Sequence, residues 1–291
     1  MKKKYLIGAS YTVFASLWWG IIGVIYFKFV SFASPVELTA HRTIWTAFLL
    51  IITTSLYAKW SEFFRIIKNK KSILMLFISG TLVMINWFTW IYAVSINKLL
   101  DSSFGYYIFP LFSVFFGIIF LKEKYNRNKI ISIVLVFIAI LYLIYHYKTL
   151  PWIGLTVAIT FSLYTLIRKK INIPSDIGLL IETLLLAPFA LIAFVILHKK
   201  GINIFSINEP LLSFYLFWAG LMTLVPLFFY TKGFGLLGIG PSSMIFFLTP
   251  TAQFFLGITY FKEALDVHKL GSFVLIWIAV AIYLNELRRE Q

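Results

Sequence analysis

The stretch from Asp101 to Ala139 occurs twice, and this duplication limits the possible folds more than any other feature of the chain. Moved forward by 140 residues, DSSFGYYIFPLFSVFFGIIFLKEKYNRNK lies over PSSMIFFLTPTAQFFLGITYFKEALDVHK without a gap. Ser102/Ser242, Ser103/Ser243, Pro110/Pro250, Gly117/Gly257, Lys122/Lys262, Glu123/Glu263, Lys129/Lys269, Ser132/Ser272 and Ala139/Ala279 coincide. Any two apolar helices share Phe and Ile; an ungapped frame of Pro, Gly, Lys-Glu and Lys needs common construction. Each copy reads as an apolar helix with an internal proline, a charged turn and a second apolar helix. The same offset puts Arg42 over Glu182, Gly80 over Gly220 and Asn86 over Pro226, which predicts two halves, 1–147 and 148–291.

These halves belong in lipid. Hydrophobic residues make up 60% of the chain and charged ones only 13%, with a mean hydropathy of +0.90. Soluble domains carry roughly 25% charged residues. A spanning helix needs about 20 apolar residues, so 291 residues make ten spans with short loops and leave no room for a separate soluble domain. Apolar windows broken at charges and turn residues place the spans at 5–30, 36–58, 73–97, 102–121, 129–147, 152–168, 177–197, 211–231, 239–261 and 269–287. The start, MKKK followed by apolar sequence from Tyr5, resembles a signal peptide, but the run is too long for one and has no A-x-A-like exit, which favours a first span.

The net charge of +15 lies in clusters between spans, with no continuous stripe, so it speaks for membrane topology and against nucleic acid. With the N-terminus inside, the inner segments hold 18 of the 26 basic residues and the outer loops six, leaving Lys28 and Arg42 in or near spans. Both termini are therefore expected on the cytoplasmic side. Five spans per half is an odd number, so the second half enters from the opposite face. Its charged turn has also lost basic character, with Arg127 and Asn128 replaced by Val267 and His268. Inverted repeats of this kind support alternating access around a midplane site. Ser16-xxx-Gly20 and Ser113-xxx-Gly117 have the spacing of close helix packing. Pro110, Pro188, Pro226 and Pro250, inside spans, kink their helices or meet solute directly.

Charges inside spans are costly, about 2.5–3.5 kcal/mol each on insertion scales, and face the interior. Arg42 lies about 9 Å below the outer boundary at 1.5 Å per residue, and Glu182 a similar distance from the inner one. The two are then roughly 12 Å apart in a 30 Å core, which argues against a direct salt bridge. Asn86 reaches the level of Arg42, with Trp87 and Trp90 beside it and Tyr106 entering from the fourth span. Tyr230 of the eighth span joins this candidate set, as does Lys28, which alternatively snorkels to the boundary. A fixed cation, an amide and aromatic walls suit a small solute with a carboxylate and a flat or apolar body. The competing role for Arg42 is structural, neutralised by Asp101 or a backbone carbonyl. His41 is a structural side chain or a proton carrier. With no Cys there are no disulfides or thiolate metal sites, and no P-loop, H-E-x-x-H or Ser–His–Asp set is present; no catalytic residue, cofactor or metal is expected.

The chain resembles the drug/metabolite transporter superfamily, in its EamA branch, and within that the RarD-like group. The likeness runs through WGIIGVIYFK (Trp19–Lys28), ELTAHRTIW (Glu37–Trp45), NWFTWIYAV (Asn86–Val94), DSSFGYYIFPL (Asp101–Leu111), LIRKKI (Leu166–Ile171), GLLIETLLLAP (Gly178–Pro188) and TLVPLFFY (Thr223–Tyr230). It covers roughly residues 5–285. The resemblance implies an all-α membrane protein of ten helices in the bacterial inner membrane, with a cavity lined by both halves, that moves amino acids, metabolites or drugs, often outward. The expected partners are a small organic solute, the bilayer, and a proton or ion if transport is coupled. Glu182, Asp101 and His41 are the titrating groups near the bundle that could serve coupling. The rival class, a lipid-handling protein or membrane enzyme using Arg42 and Glu182 on an anionic headgroup, requires a lateral opening to lipid. A passive channel is a third reading.

Overall fold

The computed structural model describes residues 2–121, 126–237, 242 and 245–289, and among them every regular element is helical. Lys122, Glu123 and Lys124 of the first charged turn and Ser243 of the second copy lie outside the described residues. Helix α1 (Lys2–Leu17) continues through a π-helical turn (Trp18–Ile22) into α2 (Gly23–Phe29). Then come α3 (Pro35–Leu56), α4 (Trp60–Ile67), α5 (Lys70–Ser95), α6 (Leu99–Leu121) and α7 (Arg127–Tyr147). The remainder forms α8 (Trp152–Ile171), α9 (Ser175–Lys199), α10 (Pro210–Phe217), α11 (Leu221–Leu237), α12 (Leu248–Thr259) and α13 (Val267–Arg289).

Polarity is arranged for lipid. Phe137, Leu141, Ile192 and Phe255 project outward, while Thr12, Ser79, Asn86, Ser103 and Gln253 are buried. Seven stretches of the described chain are long and apolar enough to cross a membrane: Lys4–Phe29, Lys70–Ser95, Leu99–Phe120, Arg127–Tyr147, Ser175–Lys199, Pro210–Leu237 and Val267–Glu286. Helices α3 and α8, of 22 and 20 residues, have the length but less apolarity. The α3 helix buries Glu37, Thr39, His41, Arg42, Thr43 and Thr46, so its polar side chains are spent inward.

The sequence shows how the ends are set. Ser34 precedes Pro35 at the start of α3 and accepts the Glu37 N–H at 3.2 Å, a Ser cap with Pro in the first turn. Glu37 would close a capping box by reaching back, but its Oε1 instead accepts the N–H groups of Ile204 (2.8 Å) and Phe205 (3.0 Å), tying the α9–α10 loop to α3. Asn126 accepts the Lys129 N–H at the start of α7, and Asp266, its counterpart 140 residues on, accepts those of His268 and Lys269 at the start of α13. The eighth predicted span is broken: α10 stops at Phe217, and α11 begins beyond Gly220, where a Cβ would sit 2.6 Å from the Trp45 carbonyl carbon. Helix α4, between the second and third spans, is a short amphipathic helix where windowed hydropathy gave only a loop.

The principal pairings are α1 with α11, α5 with α8, α3 with α9, α7 with α13, and α6 with both α8 and α12. In the α7–α13 pair, Asn126 and Asn128 donate to Glu286 at one end (2.6 Å each), and Tyr142 meets His268 at the other (3.0 Å). At that second end, Asp101 pairs with Lys269 at 3.0 Å, and Glu263 accepts the first N–H groups of α6 from Leu99 and Leu100. Burial pushes the Glu263 carboxyl above the usual range, opposed by the N–H groups of Leu100 and Leu99. The Ser16-xxx-Gly20 pair faces α12: Thr249 donates to the Ser16 carbonyl at 3.0 Å, and a Cβ on Gly20 would come 2.9 Å from the Thr249 carbonyl oxygen.

Helices α6 and α8 cross backbone against backbone. A Cβ on Gly105 would lie 2.5 Å from the Gly154 carbonyl oxygen and 2.9 Å from the Val157 Cβ. Backbone cannot yield as a side-chain end can, and overpacking of this kind costs about 1–3 kcal/mol or more. Gly105→Leu is therefore expected to lower the melting temperature of the detergent-purified protein sharply, whereas Gly235→Leu, where no heavy atom lies within 4 Å, leaves it nearly unchanged.

Candidate functional site

Arg42, in the second turn of α3, is 7% exposed. Its Nε–H donates to Thr223 Oγ1 at 2.7 Å, and its Cζ lies 4.2 Å from the Trp87 ring centroid and 5.4 Å from that of Phe27. A desolvated guanidinium over an indole is worth about 2 kcal/mol, which offsets part of the cost of burial. The break after α10 makes this contact. The missing Cβ of Gly220 lets α11 begin against Trp45 and Thr46 of α3, and that brings Thr223, in the first turn of α11, to Arg42.

Around this cation the structure gathers Trp87, Trp90, Asn86 and Tyr106. Trp90 packs edge-on to Phe27 at 5.3 Å, and its buried Nε1–H has no acceptor. Asn86 is engaged at both ends of its amide: Nδ2 donates to the Val157 carbonyl (3.0 Å) and Thr160 Oγ1 (3.3 Å), and Oδ1 accepts from the Tyr106 hydroxyl (3.0 Å). It ties α5 to α8 and α6, so its function here is to hold the wall. A run of ring contacts joins Tyr106 through Phe161, Phe109 and Phe246 to Tyr230, which also touches Trp19 in the π-helical turn.

The other three predicted site residues have their own partners. Asp101 is paired with Lys269, so it does not neutralise Arg42. Lys28, half-buried, has its Nζ 5.8 Å from the Phe261 ring centroid. Glu182, fully buried on α9, forms a second cluster: Oε1 accepts from Ser79 at 2.6 Å and lies 3.5 Å from Arg168 Nη1, while Oε2 has no partner. Gly80 permits this approach, since a Cβ there would sit 3.2 Å from the Glu182 Cβ. His41 points away from Arg42, accepting the Trp45 Nε1–H at 3.0 Å and lying 3.9 Å from Glu37.

Sequence reasoning missed Thr223, Phe27, Ser79 and Arg168. A hydroxyl or phenyl ring in an apolar span carries no charge signal. Arg168 stands at the very end of the predicted span 152–168, where a basic residue reads as a boundary charge, whereas α8 runs on to Ile171.

This geometry, a polar site between apolar helices, can be set beside known proteins. The model of the EamA-like transporter family matches residues 6–145. Protein RarD of Escherichia coli (strain K12) is 32% identical over 268 residues, 92% of this chain and 90% of its own length. The chain belongs to the EamA-like transporter family, as a RarD-like member. The uncharacterized transporter YojE of Bacillus subtilis is 32% identical over 95% of this chain and 93% of its own, and the chloramphenicol-sensitive protein RarD of Pseudomonas aeruginosa is 25% identical over 84% and 83%. A solved crystal structure shares the fold, with a TM-score of 0.59 and 16% identity, over 98% of this chain and 99% of its own. The protein is thus a multi-pass bacterial membrane transporter of this family.

The Arg42–Thr223 bond generates a direct prediction. Thr223→Val keeps the side-chain shape but leaves a buried charged donor without its acceptor, a loss of about 1–3 kcal/mol. The variant is expected to melt several degrees below wild type in detergent, and Thr223→Ser to melt close to it. Equal melting of Thr223→Val and wild type would show that the bond does not hold Arg42.

Proposed function

We propose that this protein is a secondary transporter of a small organic solute carrying a carboxylate, held by Arg42 between two inverted five-helix halves, 1–147 and 148–291. The reading has ten spans in the bacterial inner membrane, both termini cytoplasmic, alternating access by rocking of the halves, and export as the working direction. The observation that carries it is the state of Arg42. Its Nε–H is the one group spent on protein, and no carboxylate among the described residues lies within ion-pair distance of it. A cation that is buried, aromatic-backed and without a counter-charge suits an anion that arrives and leaves.

Two further observations support the inverted halves. The α3–α9, α7–α13 and α6–α12 pairings each join elements 140 residues apart in register, so a two-fold exchange maps each pair onto itself. Arg42 takes a hydroxyl from α11 in the other half, and its counterpart Glu182 takes one from α5. Ser79 moved forward by 140 residues falls at 219, four residues before Thr223. The family-model match also ends at 145, close to the proposed boundary.

Counterflow in proteoliposomes tests this reading. Vesicles preloaded with a carboxylated solute should accumulate its labelled form through wild-type protein, Arg42→Ala should lose at least about tenfold in rate (1.4 kcal/mol per decade,), and Arg42→Lys should fall between. Flux that is indifferent to Arg42, or movement of lipid headgroups in its place, would overturn it and favour the lipid-handling class.

A further inference from the structure

Which carboxylates the site accepts follows from what else is within reach of Arg42. The chain has 11 acidic residues, two of which, Glu123 and Glu290, lie outside the described residues. Eight of the others are committed elsewhere. Glu37 holds Ile204 and Phe205, Glu62 faces Arg65, Asp101 faces Lys269, Asp176 pairs with Lys59, and Glu182 faces Ser79 and Arg168. Glu263 caps α6, Asp266 accepts from Tyr147 and caps α13, and Glu286 accepts from Asn126 and Asn128. The ninth, Glu209, is exposed at the start of α10. Arg42 itself is surrounded by Phe27, Trp87 and Thr223, and Trp90, packed edge-on against Phe27, adds an unspent donor, its Nε1–H. The amide oxygen of Asn86 accepts from Tyr106, and its Nδ2 is spent on the Val157 carbonyl and Thr160.

We infer that the Arg42 site selects monoanionic organic acids with an apolar or aromatic body, and discriminates against the corresponding zwitterionic amino acids. This inference rests on the proposed role of Arg42 as solute anchor. A monoanion neutralises the guanidinium and lays its body on Phe27, Trp87 and Trp90, so the loaded site carries no net charge. A zwitterion leaves a net positive charge at membrane depth and an ammonium with no carboxylate to meet it, and burying an unpaired charge is the costliest placement a solute group can take. Sites that leave a polar group unpaired discriminate far more strongly than sites that lack a methylene.

Matched pairs that differ by the amino group alone provide the test: 3-phenylpropionate against phenylalanine and 4-methylvalerate against leucine, with phenethylamine as the amine without the acid. Binding to the full chain in detergent is read by thermal shift, with Arg42→Ala and Arg42→Lys alongside and their melting without ligand as the control for folding. The expected result is that each acid binds at least tenfold more tightly than its amino acid and the amine does not shift the protein. Arg42→Ala should lose the acid response, and Arg42→Lys should keep the preference at weaker affinity. Amino acids that bind as tightly as their acids, with the same dependence on Arg42, would overturn the selectivity and leave the transporter reading standing. If no acid or amino acid binds in an Arg42-dependent way, the selectivity fails and so does the assignment of Arg42 as anchor.

Discussion

An arginine inside a spanning helix costs about 2.5–3.5 kcal/mol on insertion scales, and the usual remedy, a nearby carboxylate, is missing at Arg42 among the described residues. In its place stand the Trp87 and Phe27 rings and one threonine hydroxyl. Each belongs to a different helix, so several features of the fold serve this one placement. Gly220 lets α11 start against α3. Asn86 fastens α5, the helix that carries Trp87, to α6 and α8. Loss of any of these supports would expose the arginine to lipid or leave its Nε–H unpaired.

The second buried charge is handled in the opposite way. Glu182 meets Arg168 and Ser79, so its charge is countered within the protein, although Oε2 has no partner. In the proposed reading, one half holds a cation kept for a solute, and the other an anion bound to its own chain. Under the proposed two-fold relation these are equivalent positions with different tasks. The ionic contacts Asp101–Lys269 and Lys59–Asp176 each join residues of the two proposed halves. In the proposed reading, rocking of the halves would have to exchange such contacts.

Much of this was legible in the chain, for stated reasons. Arg42, Trp87, Trp90 and Glu182 stood out because charge and indole in an apolar span are expensive or bulky enough to need a purpose. Arg42 and Glu182, which residue count sets at different depths, have separate partners in the structure. Asp101 also looked available from sequence, but the Lys269 ammonium three ångströms from it was hidden in a distant turn. Thr223 was not legible: it lies 181 residues from Arg42, and a threonine in a span reads as ordinary helix packing. The division of the eighth span was missed because hydropathy averages over a window and does not register one glycine's close contact. The commitment of Asn86 to the wall was equally invisible, since the sequence shows a side chain's capacity for hydrogen bonds and not where they are spent.

The most direct test of a solute site between the halves uses the absence of cysteine from the chain. Thr223→Cys would introduce the only thiol, beside the guanidinium, and its reaction with a membrane-impermeant maleimide can be followed from each face of oriented vesicles. The account predicts labelling from either face as the halves rock, slowed by a carboxylated solute. Labelling from one face only, or none under conditions where the protein transports, would contradict it.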